Sequence, residues 1–241
     1  MTAAFLQIQG VSKHFGGLRA VDDISFDMGA GEIVSLIGPN GAGKTTLFNL
    51  LTGQMAPSHG RILFNGQDIG RMKPNQRARL GFGRTFQIAQ TLTSMTVLEN
   101  GMIGAFLHHA GLREAAAKAQ EALEAVALGH RAHERADALT LGERRRLEVA
   151  RALAMEPRIL LLDEVMAGLN QTEVQEIIDM VLALNAQGVT FLVIEHNLKV
   201  VRAFARRVIV LNRGQMLAQG SADEVLASPV VIEAYIGKRR A

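Results

Sequence analysis

The nine residues Gly38-Pro39-Asn40-Gly41-Ala42-Gly43-Lys44-Thr45-Thr46 constrain this chain more than any other stretch of it. They satisfy G-x-x-x-x-G-K-[ST] and stand between an apolar run, Glu32 to Ile37, and a helical pattern that continues through Leu51. Glycines let a backbone wrap closely enough for successive N–H groups to face a β-phosphate. A helix beginning at that point adds its partial positive charge. Lys44 brings a point charge to the β/γ oxygens and Thr45 a hydroxyl suited to Mg²⁺, while Asn40, Gly41, Ala42, Gly43 and Thr46 complete the cradle. A strand–loop–helix unit of this kind binds nucleoside triphosphates and belongs to α/β folds.

A second feature points to the same chemistry. Ile159 to Leu162 is an unbroken apolar run that ends in Asp163-Glu164. Parallel strands present ligand-binding residues at their C-terminal ends, so two acids at that point read as a metal ligand followed by a base. Asp163 suits Mg²⁺, directly or through its water, and Glu164 suits the orientation and deprotonation of an attacking water.

Composition removes other classes of function. With no Cys in 241 residues, a disulfide framework, thiol catalysis and Cys-ligated metal are all excluded. A net charge of +3 is not the footprint of a dedicated nucleic-acid binder. No apolar run approaches the roughly 18 residues of a membrane span. The first residues, MTAAFLQIQG, lack the basic start and apolar stretch of a signal peptide, so no leader is expected.

Periodicity places short strands between longer helical segments. Phe5 to Val11 and Ile24 to Met28 alternate as half-buried strands, and Arg61 to Phe64 runs into an Asn65-Gly66 turn. From about Thr96 to Ala127 the helical formers Ala, Leu, Glu and Lys dominate, and Glu143 to Met155 is a helix stopping before Pro157. Thr190 to Ile194 reads as a buried strand, and Val208 to Leu211 with Met216 to Ala218 as a hairpin across Arg213-Gly214. No internal repeat or low-complexity linker interrupts the chain, so one continuous domain with a helical insertion is expected.

Leu139-Thr140-Leu141-Gly142-Glu143-Arg144-Arg145-Arg146-Leu147-Glu148, ahead of the Asp–Glu strand, resembles the LSGGQ signature region of ABC-type ATPases. Gln87, in Arg84-Thr85-Phe86-Gln87, is similar to that family's Q-loop glutamine. His196, in Ile194-Glu195-His196-Asn197, is similar to its switch histidine. Phe15, in Lys13-His14-Phe15-Gly16, matches the position of the aromatic that stacks on adenine. These elements stand in the family's order across nearly the whole chain.

The resemblance implies a P-loop NTPase core, a mixed sheet with flanking helices, together with an N-terminal antiparallel β subdomain and a helical subdomain. It divides the chain into a RecA-like core at about 1–87 and 157–241 and a helical subdomain at about 88–156. It also implies ATP and Mg²⁺ held in a head-to-tail dimer. Lys44, Thr45, Gln87, Asp163, Glu164 and His196 would act on the ATP bound by their own subunit. Thr140, Gly142 and Glu143 would reach the partner's. Thr140-x-x-Glu143 is at the same time a capping box, and a capped helix start is what presents N–H groups to phosphate. The signature departs from the family at Leu141, where a glycine is usual, and Val165 replaces the proline that commonly follows the glutamate.

Arg84 to Gln87, Thr96-Val97-Leu98-Glu99-Asn100, Ala167-Gly168-Leu169-Asn170 and Val231 to Gly237 resemble the ATPases of branched-chain amino-acid importers. Lipopolysaccharide-export and urea or amide importer ATPases are the alternatives within the family, and non-transport ABC ATPases lie further off. The expected partners are a second ABC ATPase, identical or paralogous, membrane permease subunits and, indirectly, a solute-binding protein, with no nucleic acid. The expected location is peripheral, on the cytoplasmic face of the inner membrane.

Of the remaining polar clusters, His130 and His133 read as a solvated face and His108-His109 as a helix end. The Arg144 to Arg146 run reads as solvated or inter-subunit, and Lys238-Arg239-Arg240 as a basic tail.

Overall fold

A computed structural model describes residues 5–85 and 91–236. In chain order its elements begin with β1 (Leu6–Phe15), β2 (Leu18–Met28), β3 (Ile33–Ile37), α1 (Lys44–Leu51), β4 (His59–Phe64), β5 (Gln67–Asp68) and α2 (Pro74–Arg79). There follow β6 (Phe82–Arg84), α3 (Val97–Ala105), α4 (Leu112–Ala125), α5 (Leu141–Leu153), β7 (Ile159–Asp163) and α6 (Gln171–Ala186). The last are β8 (Thr190–Ile194), α7 (Leu198–Phe204), β9 (Arg207–Asn212), β10 (Gln215–Ser221), α8 (Ala222–Ala227) and α9 (Pro229–Ile236). The expected α/β class is what forms. Gln87 and Lys238-Arg239-Arg240 lie outside the described residues.

Two compact units divide these elements, one made of residues up to 77 together with those from 190 onward, the other of residues 78–189. The first holds an antiparallel sheet of order β2-β1-β4-β5 and, in a mixed sheet, the run β10-β9-β3-β8. Strand β3 pairs in parallel with both β8 and β9, and all five of its residues are buried, Ser35 included. Ser35 is the one polar side chain there, and its hydroxyl donates to Val193 O at 3.3 Å. Burial on both faces is why β3 and β8 read as largely apolar rather than alternating strands. Strands β1 and β2 run further than their alternation indicates, because register shifts between Ile8 and Val11 and between Val11 and Lys13 break the period of two without ending the ladder.

Helix α1 is anchored at its C-terminal end by a buried cation. Arg77 donates through Nη1 to Leu50 O (2.6 Å) and Leu51 O (2.7 Å), through Nη2 to Gly70 O (3.1 Å) and through Nε to Met72 O (3.1 Å). The last carbonyls of a helix have no intrahelical donor, and a cation there also suits the negative end of the helix dipole. Burial pulls this guanidinium down to about 10, with Asp68 opposing the shift.

In the second unit α3, α4 and α5 pack together beside a parallel β6–β7 pair in which Phe82 faces Ile159. Gly104 of α3 lies so close to Arg151 O that a Cβ would collide with it, which lets α3 and α5 approach backbone to backbone. Among the described residues no helix is long and apolar enough to cross a membrane.

Candidate functional site

The phosphate loop lies in the first unit and follows from its backbone. Gly43, at φ +100°, is the N-cap of α1, and a Cβ there would run into Ala20 O. Gly38, at φ +151°, is equally close to Leu211 O. Only glycine fits either place, so the loop is pressed against β2 and β9. The turn between β9 and β10 closes over it: Gly214 N donates to Ala42 O at 3.1 Å, and Asp22 N donates to Gly214 O at 2.8 Å. Lys44 is buried, and its ammonium donates to Gly38 O (2.6 Å) and Pro39 O (3.1 Å), so the cation is held inside the curve of the loop. Ala42 is buried, whereas Asn40, Gly41, Gly43, Thr45 and Thr46 keep some exposure. A glycine cradle around a lysine at a helix N-terminus fits a triphosphate by its shape as well as by its charge.

Two further residues of this unit were singled out by sequence. His196 follows β8 and is exposed, and the next residue, Asn197, caps α7 by accepting from Lys199 N at 3.1 Å. Phe15 ends β1 with 45% of its surface exposed, and the Lys13 ammonium lies 5.4 Å from its ring centroid. An apolar ring in solvent at a strand end suits stacking better than core packing.

In the second unit Asp163 closes β7 as a buried carboxylate. Its N–H donates to Thr85 Oγ1 at 3.2 Å, and its Oδ2 lies 3.2 Å from Arg84 Nη2, the two side chains being 3% and 11% exposed. Arg84 Nε in turn donates to Thr85 O at 3.3 Å. Burial lowers the Arg84 pKa and Asp163 opposes that shift. Arg84 stood in the quoted Arg84-Thr85-Phe86-Gln87 stretch without a role of its own. The adjacent apolar β7 and its acid were the signal that a counter-cation was needed. Carboxylate and hydroxyl oxygens, the side-chain donors that Asp163 and Thr45 carry, are of the type Mg²⁺ takes, and in this structure Asp163 Oδ2 is engaged by Arg84. Glu164, the next residue, takes φ +50°, a left-handed conformation that costs a glutamate on the order of 1 kcal/mol and turns the chain sharply off the strand.

The signature segment opens α5 with a closed capping box. Thr140 Oγ1 accepts from Glu143 N at 3.2 Å, and Glu143 Oε2 accepts from Thr140 N at 2.9 Å. Leu141 is 44% exposed and is absent from the residues with positive φ, so a leucine in place of the usual glycine is not strained.

The arginines that follow, read from their spacing as solvated or inter-subunit, each have a partner within their own unit. Arg144 donates to Leu139 O and Asp137 O, buried Arg145 pairs with Glu148 at 3.3 Å, and Arg146 reaches Glu176 at 3.6 Å. Successive helix positions point in different directions, and each direction here meets an acceptor within the unit.

His109 follows the end of α3, where its N–H reaches Ala105 O, but its ring serves Glu156 at 2.6 Å and lowers that acid's pKa. His130 lies in a 3-10 turn at Gly129–Arg131. Among the described residues no group of three or more His, Cys, Asp or Glu can hold a metal.

A cradle of this kind, an acid-tipped strand and a capped signature helix define a nucleotide-binding cassette. The chain belongs to the ABC transporter family, whose model matches residues 21–167. A further model, described as a branched-chain amino acid ATP-binding cassette transporter, matches residues 215–241. The chain is 39% identical to the high-affinity branched-chain amino acid transport ATP-binding protein LivG of Escherichia coli, over 99% of this chain and 100% of that protein.

Among solved structures, the ADP conformation of an ATP-binding cassette of an ABC transporter is 34% identical, with a TM-score of 0.90 over 98% of this chain and 100% of that one. A dimeric post-hydrolysis cassette bound to ADP and phosphate is 25% identical, with a TM-score of 0.80 over 90% of this chain and 98% of that one.

Proposed function

We propose that this chain is the ATP-hydrolysing motor subunit of a branched-chain amino-acid importer, working as a dimer closed around ATP beneath membrane permease subunits. The observation that carries the ATPase reading is the phosphate loop itself: two glycines that nothing else can replace and a lysine folded into the loop's own carbonyls. The full-length similarity to LivG and the match at residues 215–241 support the choice of solute.

In this reading the loop amides from Asn40 to Thr46 and the positive end of α1 bind the phosphates, Lys44 neutralises the β/γ oxygens, and Phe15 stacks on adenine. Thr45, Asp163 and Gln87 hold Mg²⁺, which supplies charge neutralisation across the phosphate oxygens. Glu164 orients the attacking water and accepts its proton. Gln87 touches that water through its amide oxygen, and His196 donates to the γ-phosphate as charge develops. Thr140, Gly142 and Glu143 belong to the site of the partner subunit's ATP. The segment from Gln87 through about residue 156 meets the permease, and a solute-binding protein delivers the amino acid from the other side. The subunit then sits peripherally on the inner face of the membrane.

The test is reconstitution with the permease subunits found beside it and a solute-binding protein. Leucine, isoleucine or valine should stimulate ATP turnover and drive their own uptake. Stimulation by a urea or amide solute instead, or no solute dependence at all, removes the proposed substrate class.

A further inference from the structure

The signature of this chain carries an acid, Glu143, where LSGGQ ends in a neutral amide. The substitution has an electrostatic cost for the proposed role. Of the first N–H groups of α5, that of Glu143 is taken by Thr140 Oγ1 (3.2 Å) and that of Arg144 by Thr140 O (2.9 Å). Leu141 and Gly142 are therefore the positions from which α5 can offer N–H groups and positive dipole to an anion. A carboxylate one residue further on would oppose that field.

The fold answers this charge from outside the motif. Arg131, in the 3-10 turn before the signature, places Nη1 2.8 Å from Glu143 Oε1, with the two side chains only 22% and 13% exposed. Glu143 Oε2 is meanwhile occupied by the Thr140 N–H at 2.9 Å. Both carboxylate oxygens are thus engaged by the protein, and the charge is paired at a partly exposed helix start, within reach of salt. Arg131 is itself braced by Glu134 at 2.7 Å and by a hydrogen bond to Ala138 O at 3.5 Å. Since Glu134 is about half exposed, its own charge is left mostly to solvent.

We infer that Arg131 is a positioning residue for the nucleoside-triphosphate site: it neutralises and holds back Glu143, so that an acidic signature still presents a positive helix end to the partner subunit's γ-phosphate. This rests on the reading of Thr140 to Glu143 as a site for the partner's ATP, and four variants of the full chain separate the two.

Arg131→Gln leaves the carboxylate uncompensated. It should lower the kcat of ATP turnover about tenfold at low salt. The loss should shrink at high salt, with nucleotide affinity of the single subunit unchanged. Arg131→Gln/Glu143→Gln should turn over about fivefold faster than Arg131→Gln at low salt, and with Glu143→Gln as the parent the Arg131 substitution should lose its salt dependence. A residue that merely braced the turn would lose kcat and thermal midpoint together, at every salt concentration. A double variant no better than the single one, with both melting as folded proteins, therefore overturns the inference. So does a harmless Arg131→Gln.

Leu141→Asp controls for the underlying reading. An acid at the first helical position stabilises α5 but adds negative charge on its exposed face. If Leu141→Asp is impaired and Arg131→Gln is not, the signature role stands and the Arg131 inference falls. If neither changes turnover, the signature role itself is wrong.

Discussion

Arg77 is a fully buried cation that donates to four backbone carbonyls, and that makes its removal costly in a specific way. Arg77→Met would fill much of the same volume while leaving Leu50 O, Leu51 O, Gly70 O and Met72 O without this donor. Orphaned buried acceptors and a lost helix C-cap place the expected destabilisation at about 3 kcal/mol or more. Denaturant unfolding measures it, and a midpoint unchanged from the parent chain would refute the anchoring role. Residues of this kind were illegible in the sequence. Arg77 and Leu50 are 27 positions apart, and a carbonyl acceptor has no residue type to betray it. Lys44 and Thr45 were legible for the opposite reason, since their chemistry is fixed by near neighbours in the motif. Glu164 lies between the two cases: the apolar strand before it signals where the acid stands, but nothing in the sequence signals its left-handed backbone.

At the level of elements, helix starts are where local sequence and fold agree best. Thr96–Glu99, Thr140–Glu143, Asn170–Glu173 and Ser221–Glu224 each close a reciprocal capping box. Asn170 ends the Ala167-Gly168-Leu169-Asn170 stretch quoted for its resemblance to importer ATPases. Here its Oδ1 accepts from Thr172 N (3.0 Å) and Glu173 N (3.1 Å) at the start of α6. Asn170→Ala should therefore cost about 1 kcal/mol of stability, while Asn170→Asp should cost almost nothing, because either side chain accepts the same bonds. Thermal melts of the two variants side by side check this, and equal losses would contradict it. Elements whose definition depends on distant partners were harder to read. The full length of β1 and β2 needed bulges that alternation hides, and the arginines at Arg144–Arg146 found acceptors on Asp137, Leu139, Glu148 and Glu176.

For the whole molecule, the property to test is the proposed closure around nucleotide. Glu164→Gln should bind ATP normally yet hydrolyse it at least about a hundredfold more slowly, so that an ATP-dependent dimer accumulates on size exclusion. Unchanged turnover would remove Glu164 as the base. The overall class was legible because its motifs come in a fixed order. The first of the two units is discontinuous, running to residue 77 and resuming only at residue 190. That discontinuity bears on synthesis. A ribosome releases the chain from its N-terminus, and domains fold as their parts emerge. Strand β3 must wait for both β8 and β9, and Ala42 O waits for Gly214 N. The phosphate loop is therefore among the first stretches translated and among the last to be completed, and a growing chain cannot form the finished loop until it is almost fully made.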